Sequence, residues 1–459
     1  MKINAGSQAA EARKKSRPSR RNFLKNCGAA AAATGLPLWF VERELAAASG
    51  QAKPLSPNDR PGIALIGCGG MGTGDATNSL RFGEIVALCD VDEGHLARDV
   101  EKFTREGKKP AAFSDFRKVL ERKDVDVVIN ATPDHWHTLI NIAAARAHKD
   151  IYGEKPLTLT IDEGSRVIRA VRETKVVLQT GMQQRSSIRF RLACEMIRNG
   201  RIGRLKTVTV WLPAGLREGP FPSKPVPAEL NWDLWLGQAP KVDYVPQRCH
   251  TWFRYWYDYS GGTMTDWGAH HNDIAMWAIG QPGPTTVEGR ALALPISGGY
   301  TAISEYDVKF TFAGDILLNV RTTKDDDGFG GVINKEGQRN GLRFEGSSGW
   351  IWVNRDEIKA SKMDLLRTPL PDNAERLYTS NDHMANFFDC IRSRKDPICA
   401  VEVGHRSACI SHLGAIALRT GRKLQWDAAK EVFMGESAKE ATAMAAREMR
   451  KPYDYAFAD

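Results

Sequence analysis

From residue 62 onward, short apolar runs alternate with longer segments of helical periodicity. The predicted strands are 62–66, 84–89, 125–131, 151–153 and 176–180, and the predicted helices are 137–148 and 161–174. Strands that alternate with helices of this length are typical of a parallel, doubly wound sheet. The pattern therefore predicts an α/β fold that begins with a Rossmann-type domain.

The first 48 residues follow a different pattern. A basic stretch ends in Ser-Arg-Arg-Asn-Phe-Leu-Lys at 19–25, an alanine-rich apolar run covers 27–40, and small residues follow at 45–49. These are the three parts of a cleavable export signal. The arginine pair resembles a twin-arginine signal, which exports folded proteins, and the apolar run is shorter than the about 20 residues of a stable span.

This segment predicts export by the twin-arginine machinery to the periplasm, with cleavage after Ala48. Retention of the signal as a membrane tether is an alternative. A basic amphipathic start of a cytoplasmic protein is another.

Length and charge narrow the class of protein. The chain has 459 residues, of which 42% are hydrophobic and 26% charged, as in soluble globular proteins. Single cores stop growing near roughly 250–300 residues, so two domains are expected. Residues 1–48 carry six of the nine net positive charges, and the remainder has no dense basic stripe that would indicate a nucleic-acid partner. Eight cysteines without a CxxC pair suggest reduced core thiols.

A glycine-rich motif follows the first strand directly. Its pattern G-x-G-x-x-G spans 67–72 and stands before a helical segment, the context in which it indicates a dinucleotide site. Gly67 permits the tight turn, Gly69 lets the backbone approach the pyrophosphate, and Gly72 allows close helix–strand packing. The amides of the helix N-terminus, which include Gly70 and Met71, favour the phosphates.

An acidic residue ends the second predicted strand. Asp90 lies 18 residues beyond Gly72, close to the spacing of about 20 at which a carboxylate accepts hydrogen bonds from the adenosine ribose. A carboxylate there repels a 2′-phosphate, so NAD is favoured over NADP. NADP stays open, because an Arg or Lys from a neighbouring loop could reverse the preference.

Further motifs resemble the Gfo/Idh/MocA oxidoreductase family, which includes glucose-fructose oxidoreductase and inositol dehydrogenase. Residues 132–137 resemble its T-P-x-x-x-H loop, 154–156 its E-K-P element, and 261–273 its G-G-x3-D-x-G-x-H-x2-D element. The stretch 383–423 is similar to an exported, sugar-associated branch, and about residues 60 to 453 are covered. The resemblance implies a second, α+β domain with a large open mixed β-sheet, one face of which serves substrate binding and homo-oligomerisation, as a dimer or tetramer.

These inferences divide the chain into five parts. They are a signal at 1–48, a linker at 49–59, an NAD(P)-binding Rossmann domain at 60–182, a substrate-binding and oligomerisation domain at 183–430, and a C-terminal helical tail at 431–459.

The resemblance also implies site residues. It places Thr132, Pro133, His137, Glu154 and Lys155 beside the cofactor. It gives proton transfer to His270, with Lys155 and Asp266 holding and polarising the substrate oxygen.

Elementary chemistry supports these assignments. Oxidation of a secondary alcohol needs a base poised near neutral pH, for which histidine is suited. Asp266 and His270 are four residues apart and share a face if the segment is helical.

Four further residues are predicted substrate contacts: Arg254, Trp256, His271 and Asp273. Arg254 and Trp256 belong to an aromatic run directly before the catalytic element, where rings could stack on sugars, although such runs more often form core. The histidines and aspartates here lack the spacing of a closed zinc set, so no required metal is expected.

Export constrains the function. Free nicotinamide cofactor is cytoplasmic, so an exported enzyme should carry it tightly bound and regenerate it in place. We expect an NAD(P)-dependent oxidoreductase that acts on a secondary alcohol of a sugar, glycoside or cyclitol. One alternative is an NAD-dependent, redox-neutral glycosidase that works by oxidation, elimination and hydration. Its pattern departs from the D-x-G-x-H that is present here. Another is a non-catalytic nucleotide-binding sensor or scaffold, which would not need Lys155 and His270.

Overall fold

The computed structural model describes residues 20–48, 60–322 and 340–458. The chain forms two compact units, one ending at Gln51 and the other beginning at Ala52. The first contains helices α1 (Arg20–Thr34) and α2 (Leu38–Ala48). The predicted signal before Arg20 and the predicted linker at 49–59 lie outside the described residues. No helix within the described ranges is long and apolar enough to cross a bilayer.

The second unit begins with a six-stranded parallel sheet. Its strands are β1 (Gly62–Ile66), β2 (Glu84–Cys89), β3 (Ala111–Phe113), β4 (Val127–Asn130), β5 (Asp150–Gly153) and β6 (Leu178–Thr180). The connecting helices are α3 (Gly70–Ser79), α4 (Glu93–Phe103), α5 (Phe116–Leu120), α6 (Asp134–Arg146) and α7 (Ile161–Thr174). The strand order β3-β2-β1-β4-β5-β6, parallel throughout, confirms the predicted Rossmann fold.

The burial of these strands explains why the sequence showed continuous apolar runs. Strands β1, β4 and β5 are buried at every position, since helices cover both faces of the sheet. The strand order reverses between β1 and β4, and ligands of such folds bind beyond the carboxyl ends of the strands at this point.

A nine-stranded mixed sheet follows, in the order β13-β12-β11-β7-β10-β9-β8-β14-β15. Its strands are β7 (Leu205–Leu212), β8 (Thr286–Ala293), β9 (Glu305–Thr311), β10 (Leu317–Thr322), β11 (Gly341–Gly346), β12 (Trp350–Val353), β13 (Ile358–Ala360), β14 (Lys423–Asp427) and β15 (Val432–Met434). The helices of this part are α8 (Ile188–Arg198), α9 (Trp232–Leu236), α10 (Trp267–Ile279), α11 (Asp364–Arg367), α12 (His383–Ser393), α13 (Val401–Thr420) and α14 (Ala438–Met444). Among the described strands of this sheet, β7 and β10 pair in parallel and the other pairs are antiparallel, so the expected large mixed sheet is confirmed.

The end of the chain returns to the first sheet. The ring of Phe387 in α12 lies 5.7 Å from that of Tyr152 in β5, and the ring of Phe457 lies 6.0 Å from that of Phe116. Strand β15 pairs with β14. The predicted boundary at 430 therefore falls inside a hairpin, and the predicted helical tail begins with a strand.

Candidate active site

A cavity of ≈ 430 Å³ opens at the carboxyl edge of the first sheet. Its size lies within the roughly 300–1,000 Å³ typical of ligand pockets. Ten of the eleven predicted cofactor residues line it: Gly67, Gly69, Gly70, Met71, Asp90, Thr132, Pro133, His137, Glu154 and Lys155. They meet because each follows β1, β2, β4 or β5, whose carboxyl ends share one edge.

The glycine-rich loop fits closely against its neighbours on one side and is open on the other. A Cβ on Gly72 would lie 2.1 Å from the carbonyl oxygen of Gly67, so Gly72 allows α3 to pack against the loop and does not line the cavity. Gly67 has φ 94. A Cβ on Gly69 or Gly70 would meet no atom within 4 Å. This open backbone at the start of α3 fits a pyrophosphate.

Asp90 is fixed by the backbone at the end of β2. Its Oδ2 accepts a hydrogen bond from the amide of Cys68 at 2.7 Å, and its Oδ1 accepts one from the amide of Asp92 at 2.9 Å. Burial raises the pKa of Asp90, against the effect of these two amides. The carboxyl group is thus held in the cavity wall, where it can accept from hydroxyl groups.

His137 ties two of the predicted loops together. Its Nδ1 lies 2.6 Å from the carbonyl oxygen of Pro156, and its Nε2 lies 2.9 Å from that of Thr132. The side chain is 1% exposed. We infer that His137 positions the Thr132 and Lys155 loops.

Glu154, a predicted cofactor residue, belongs to a buried polar group. The sequence analysis did not predict its other members, Gln183 and Asp75. The Oε1 atom of Glu154 accepts a hydrogen bond from Nε2 of Gln183 at 2.9 Å. Asp75, in α3, lies beside it, and burial together with Glu154 raises the pKa of Asp75 well above its ordinary value. Asp75 stands three residues after the glycine motif, and only its position there could have drawn attention to it.

A second cavity, of ≈ 520 Å³, adjoins the first. It is lined by Met71, Lys155, Gln183, Gln184, Ser187, Phe190, Arg254, Asp266, Trp267, His270 and Arg355. Met71, Lys155 and Arg254 line both cavities. A ligand in one cavity would therefore meet a ligand in the other beside Lys155.

Lys155 is held by a carboxylate at this junction. Its ammonium forms an ion pair with Oδ1 of Asp266, and Nε of Arg254 lies 3.5 Å from the same oxygen. Burial alone would raise the pKa of Asp266, but Lys155 and Arg254 lower it below its ordinary value. Asp266 is thus an anion that orients two cations toward the cavity.

His270 lies one turn into α10, for which Asp266 is the N-cap residue. The segment is helical, as the prediction required. Asp266 and His270 both line the second cavity, so they share a face as predicted. The Nδ1 atom of His270 is buried and has no hydrogen-bond partner among the described residues. Burial, with Lys155 and Arg355, lowers the pKa of His270 well below its ordinary value, so the imidazole is neutral.

Three predicted substrate residues do not reach either cavity. Trp256 is 2% exposed and packs under Arg248, whose guanidinium lies 3.6 Å from the ring centroid. His271 is fully buried, with Nε2 3.0 Å from Oδ1 of Asn340.

Asp273 accepts two hydrogen bonds from Arg185, at 2.7 and 2.8 Å, in a buried ion pair. The substrate-contact prediction is corrected for all three, because their side chains hold the core. Of the four, Arg254 alone lines a cavity.

Other cavity residues come from distant parts of the chain. Leu234, Trp235 and Phe253 line the first cavity, and Gln184 and Arg355 line the second. No local motif marks them, so only the tertiary structure identifies them.

Family models match most of the chain. The model for the NAD-binding Rossmann fold of the Gfo/Idh/MocA oxidoreductase family matches residues 62–182, and the model for its C-terminal alpha/beta domain matches residues 211–455.

Individual proteins resemble the chain at low sequence identity. The myo-inositol 2-dehydrogenase of Thermotoga maritima is 27% identical over 48% of this chain and 55% of its own. A glycosyl hydrolase family 109 protein of Shewanella pealeana is 27% identical over 41% of this chain and 44% of its own. The chain thus spans about half the length of these two relatives. The crystal structure of the WlbA dehydrogenase from Bordetella pertussis, in complex with NADH and UDP-GlcNAcA, has a similar fold, with a TM-score of 0.60, 18% identity, and coverage of 80% of this chain and 99% of that one.

Proposed function

The chain belongs to the Gfo/Idh/MocA oxidoreductase family, and from this premise we propose that it is an NAD-dependent oxidoreductase acting on a secondary alcohol of a sugar or cyclitol. The observation that carries the proposal is the meeting of two cavities at Lys155, with Asp266 and His270 beside it. The dehydrogenases among the relatives and similar folds support this substrate class.

The residues around the junction have separate roles. His270 accepts the proton of the substrate hydroxyl, since its imidazole is neutral and lines the second cavity beside Asp266. Lys155 donates a hydrogen bond to the same oxygen and stabilises developing negative charge. Asp266 holds the ammonium group of Lys155 in place through their ion pair. Bound NAD would accept the hydride from the carbon.

The cofactor is NAD in this proposal. Asp90 supports that choice because its carboxyl group lines the cavity, where it can accept hydrogen bonds from ribose hydroxyl groups and would repel a 2′-phosphate. The imidazole of His95 lies beside this carboxyl group, with Nδ1 3.9 Å from Oδ2 of Asp90.

A glycosidase that uses NAD transiently is the second candidate. It is favoured by the similarity to a glycosyl hydrolase family 109 protein. The D-x-G-x-H segment with Asp266 and His270 favours simple oxidoreduction, because both side chains line the second cavity and can serve a reacting hydroxyl.

One assay separates these functions. Purified protein, without added cofactor, is given a panel of sugars, cyclitols and aryl glycosides. An oxidoreductase reduces its bound NAD with sugars or cyclitols and leaves aryl glycosides uncleaved. Release of the aryl group with no net reduction favours the glycosidase. Neither reaction with any compound would support a nucleotide-binding sensor or scaffold.

We also propose export to the periplasm by the twin-arginine route, with removal of residues 1–48 or retention as a tether. The arginine pair at 20–21 before an apolar run supports this. The proposal requires NAD to be loaded before export, so purified protein should contain it. Cell fractionation of the parent and of Arg21→Lys tests the route: the parent should be periplasmic and the variant retained inside. Equal distribution of the two would contradict it.

Homo-oligomerisation is proposed as well. Leu292 and Leu294, at and beyond the end of β8, are 46% and 68% exposed, and apolar side chains at this exposure suit a contact between copies. Light scattering of the parent should give a dimer or tetramer, and a monomeric mass would contradict the proposal.

A further inference from the structure

Three potential metal ligands meet at the end of the first cavity that contains Asp90. Asp92, His95 and His250 each offer one ligand atom within 4.8 Å of the other two. The Oδ2 atom of Asp92 lies 3.3 Å from Nε2 of His250, and the rings of His95 and His250 are 4.5 Å apart. Both histidines line the cavity.

The ligands come from two parts of the fold. Asp92 is the N-cap of α4, and its Oδ1 accepts a hydrogen bond from the amide of His95 at 2.9 Å, which leaves Oδ2 to face His250. His250 belongs to the segment 229–254, here called the strap, whose Trp235 and Phe253 also line the cavity.

The strap is fastened to the Rossmann domain beside the cluster. The amide of Glu93 donates to the carbonyl of Glu229 at 2.9 Å, and the amide of Asn231 donates to that of Val91 at 3.0 Å. His250 reaches α4 from a left-handed backbone conformation, with φ 49, which is uncommon for a residue with a side chain.

The donor set fits a transition metal. Two imidazole nitrogens and a carboxylate suit Zn²⁺ and similar divalent ions. Two ligands at about 2.1 Å from a tetrahedral ion lie about 3.4 Å apart, close to the separation of Asp92 and His250. An ion pair accounts for Asp92 and His250 alone. His95 has only a longer contact of its own, from Nδ1 to Oδ2 of Asp90 at 3.9 Å, and a metal ion shared by Asp92, His95 and His250 would account for the packing of the two imidazoles.

We propose that Asp92, His95 and His250 bind a divalent transition-metal ion that fastens the strap to α4 across the opening of the cofactor cavity. Side-chain exposures of 28% for His95 and 41% for His250 let an ion and a water ligand enter from solvent. Bound metal would slow the release of NAD, because the strap lines the cavity. The metal site does not depend on the proposed redox reaction, whereas its effect on NAD release rests on the proposed cofactor.

Metal binding is tested on full-length protein without a histidine tag. After chelation and dialysis, the protein is titrated with Zn²⁺ against a chromophoric chelator, and with Co²⁺ followed by visible absorption. His250→Gln and His95→Gln should each weaken binding by about 100-fold or more, since even outer-shell partners are worth about 10–100-fold. His148→Gln, at an exposed position between α6 and β5, is the matched control and should bind like the parent.

A second group of potential metal ligands within the described ranges could bind the ion instead. His405, Cys409 and Glu431 also lie within ligand distance of one another. The proposal is overturned if the parent binds neither ion, if both glutamine variants bind as the parent does, or if Cys409→Ser abolishes binding. Circular dichroism confirms that each variant is folded.

The effect on the cofactor is measured separately. NAD release from the parent should be slower with Zn²⁺ than with chelator, and the difference should vanish in His250→Gln. Equal release rates in the parent would overturn the fastening role. Absence of NAD binding in the parent would contradict the proposed cofactor and leave the Zn²⁺ titration to decide on the metal site.

Discussion

Three glycines at the start of α3 separate packing from cofactor binding. Gly72, Gly69 and Gly74 lie within six residues, and each is changed to alanine. A Cβ on Gly72 would lie 2.1 Å from the carbonyl oxygen of Gly67 and 3.1 Å from Cδ1 of Leu65. A Cβ on Gly69 or Gly74 would meet no atom within 4 Å.

The expected magnitudes follow from these contacts. Overpacking costs about 1–3 kcal/mol, and Gly72→Ala should lie near the upper end because the clash is with backbone. Part of that cost is offset by the gain of up to about 1 kcal/mol for alanine in a helix, which leaves a net loss of about 2 kcal/mol. Gly74→Ala meets no obstacle and should stabilise the protein by about 0.5–1 kcal/mol.

Gly69→Ala should act on binding alone. Its Cβ would enter the opening that we assign to the pyrophosphate, so NAD affinity should fall by about 10–100-fold, equivalent to about 1.4–2.8 kcal/mol. Stability should change by less than about 0.5 kcal/mol, as for surface substitutions.

Urea unfolding gives the stabilities, and titration of the cofactor-free protein with NAD gives the affinities. Gly74→Ala is the matched control and should bind NAD like the parent. If Gly69→Ala binds NAD as tightly as the parent, the loop does not approach the cofactor and the reasoning is refuted. A Gly72→Ala protein as stable as Gly74→Ala would refute the packing argument.

Three further predictions concern single groups. Asp90→Ser should weaken NAD binding by about 1–3 kcal/mol and narrow the preference over NADP, through loss of charge-assisted hydrogen bonds; a parent that prefers NADP in the same titration would contradict this. Lys155→Met should slow reduction of bound NAD by about 10²–10³-fold, since it removes a donor to the reacting oxygen, as stopped-flow absorbance would measure; an unchanged rate would exclude Lys155 from the chemistry. Burial lowers the pKa values of His383 and His412 to about 4, so the unfolded chain takes up protons at higher pH than the folded one. Stability should therefore fall as pH drops from about 6.5 toward 4, and urea midpoints that stay constant over this window would contradict the assignment.

The sequence predicted the first domain more fully than the second. Five of the six strands of the Rossmann sheet overlap a predicted strand, whereas β3 was not predicted. The predicted cofactor residues lie in the segments that follow β1, β2, β4 and β5, so local pattern suffices to place them. The register of the nine-stranded sheet depends on pairings between distant segments, such as β7 with β10, that no local pattern encodes.

The same distinction explains the site residues. Lys155, Asp266 and His270 belong to short motifs, and the structure brings them to one junction. Trp256 was misassigned because an aromatic run has the same composition in a core as in a sugar site, and only burial distinguishes them. Trp235 was missed because its contact with the cavity depends on the path of the strap.

The central claim is that His270 is the base for oxidation of a substrate alcohol at the junction of the two cavities. Single-turnover reduction of bound NAD by a reactive sugar, followed by the absorbance of reduced nicotinamide, tests it most directly. His270→Ala should remain folded and loaded with NAD but react about 10²–10⁴-fold more slowly, the usual contribution of a general base, whereas His148→Gln should match the parent. A folded, loaded His270→Ala protein that reacts as fast as the parent would contradict the account.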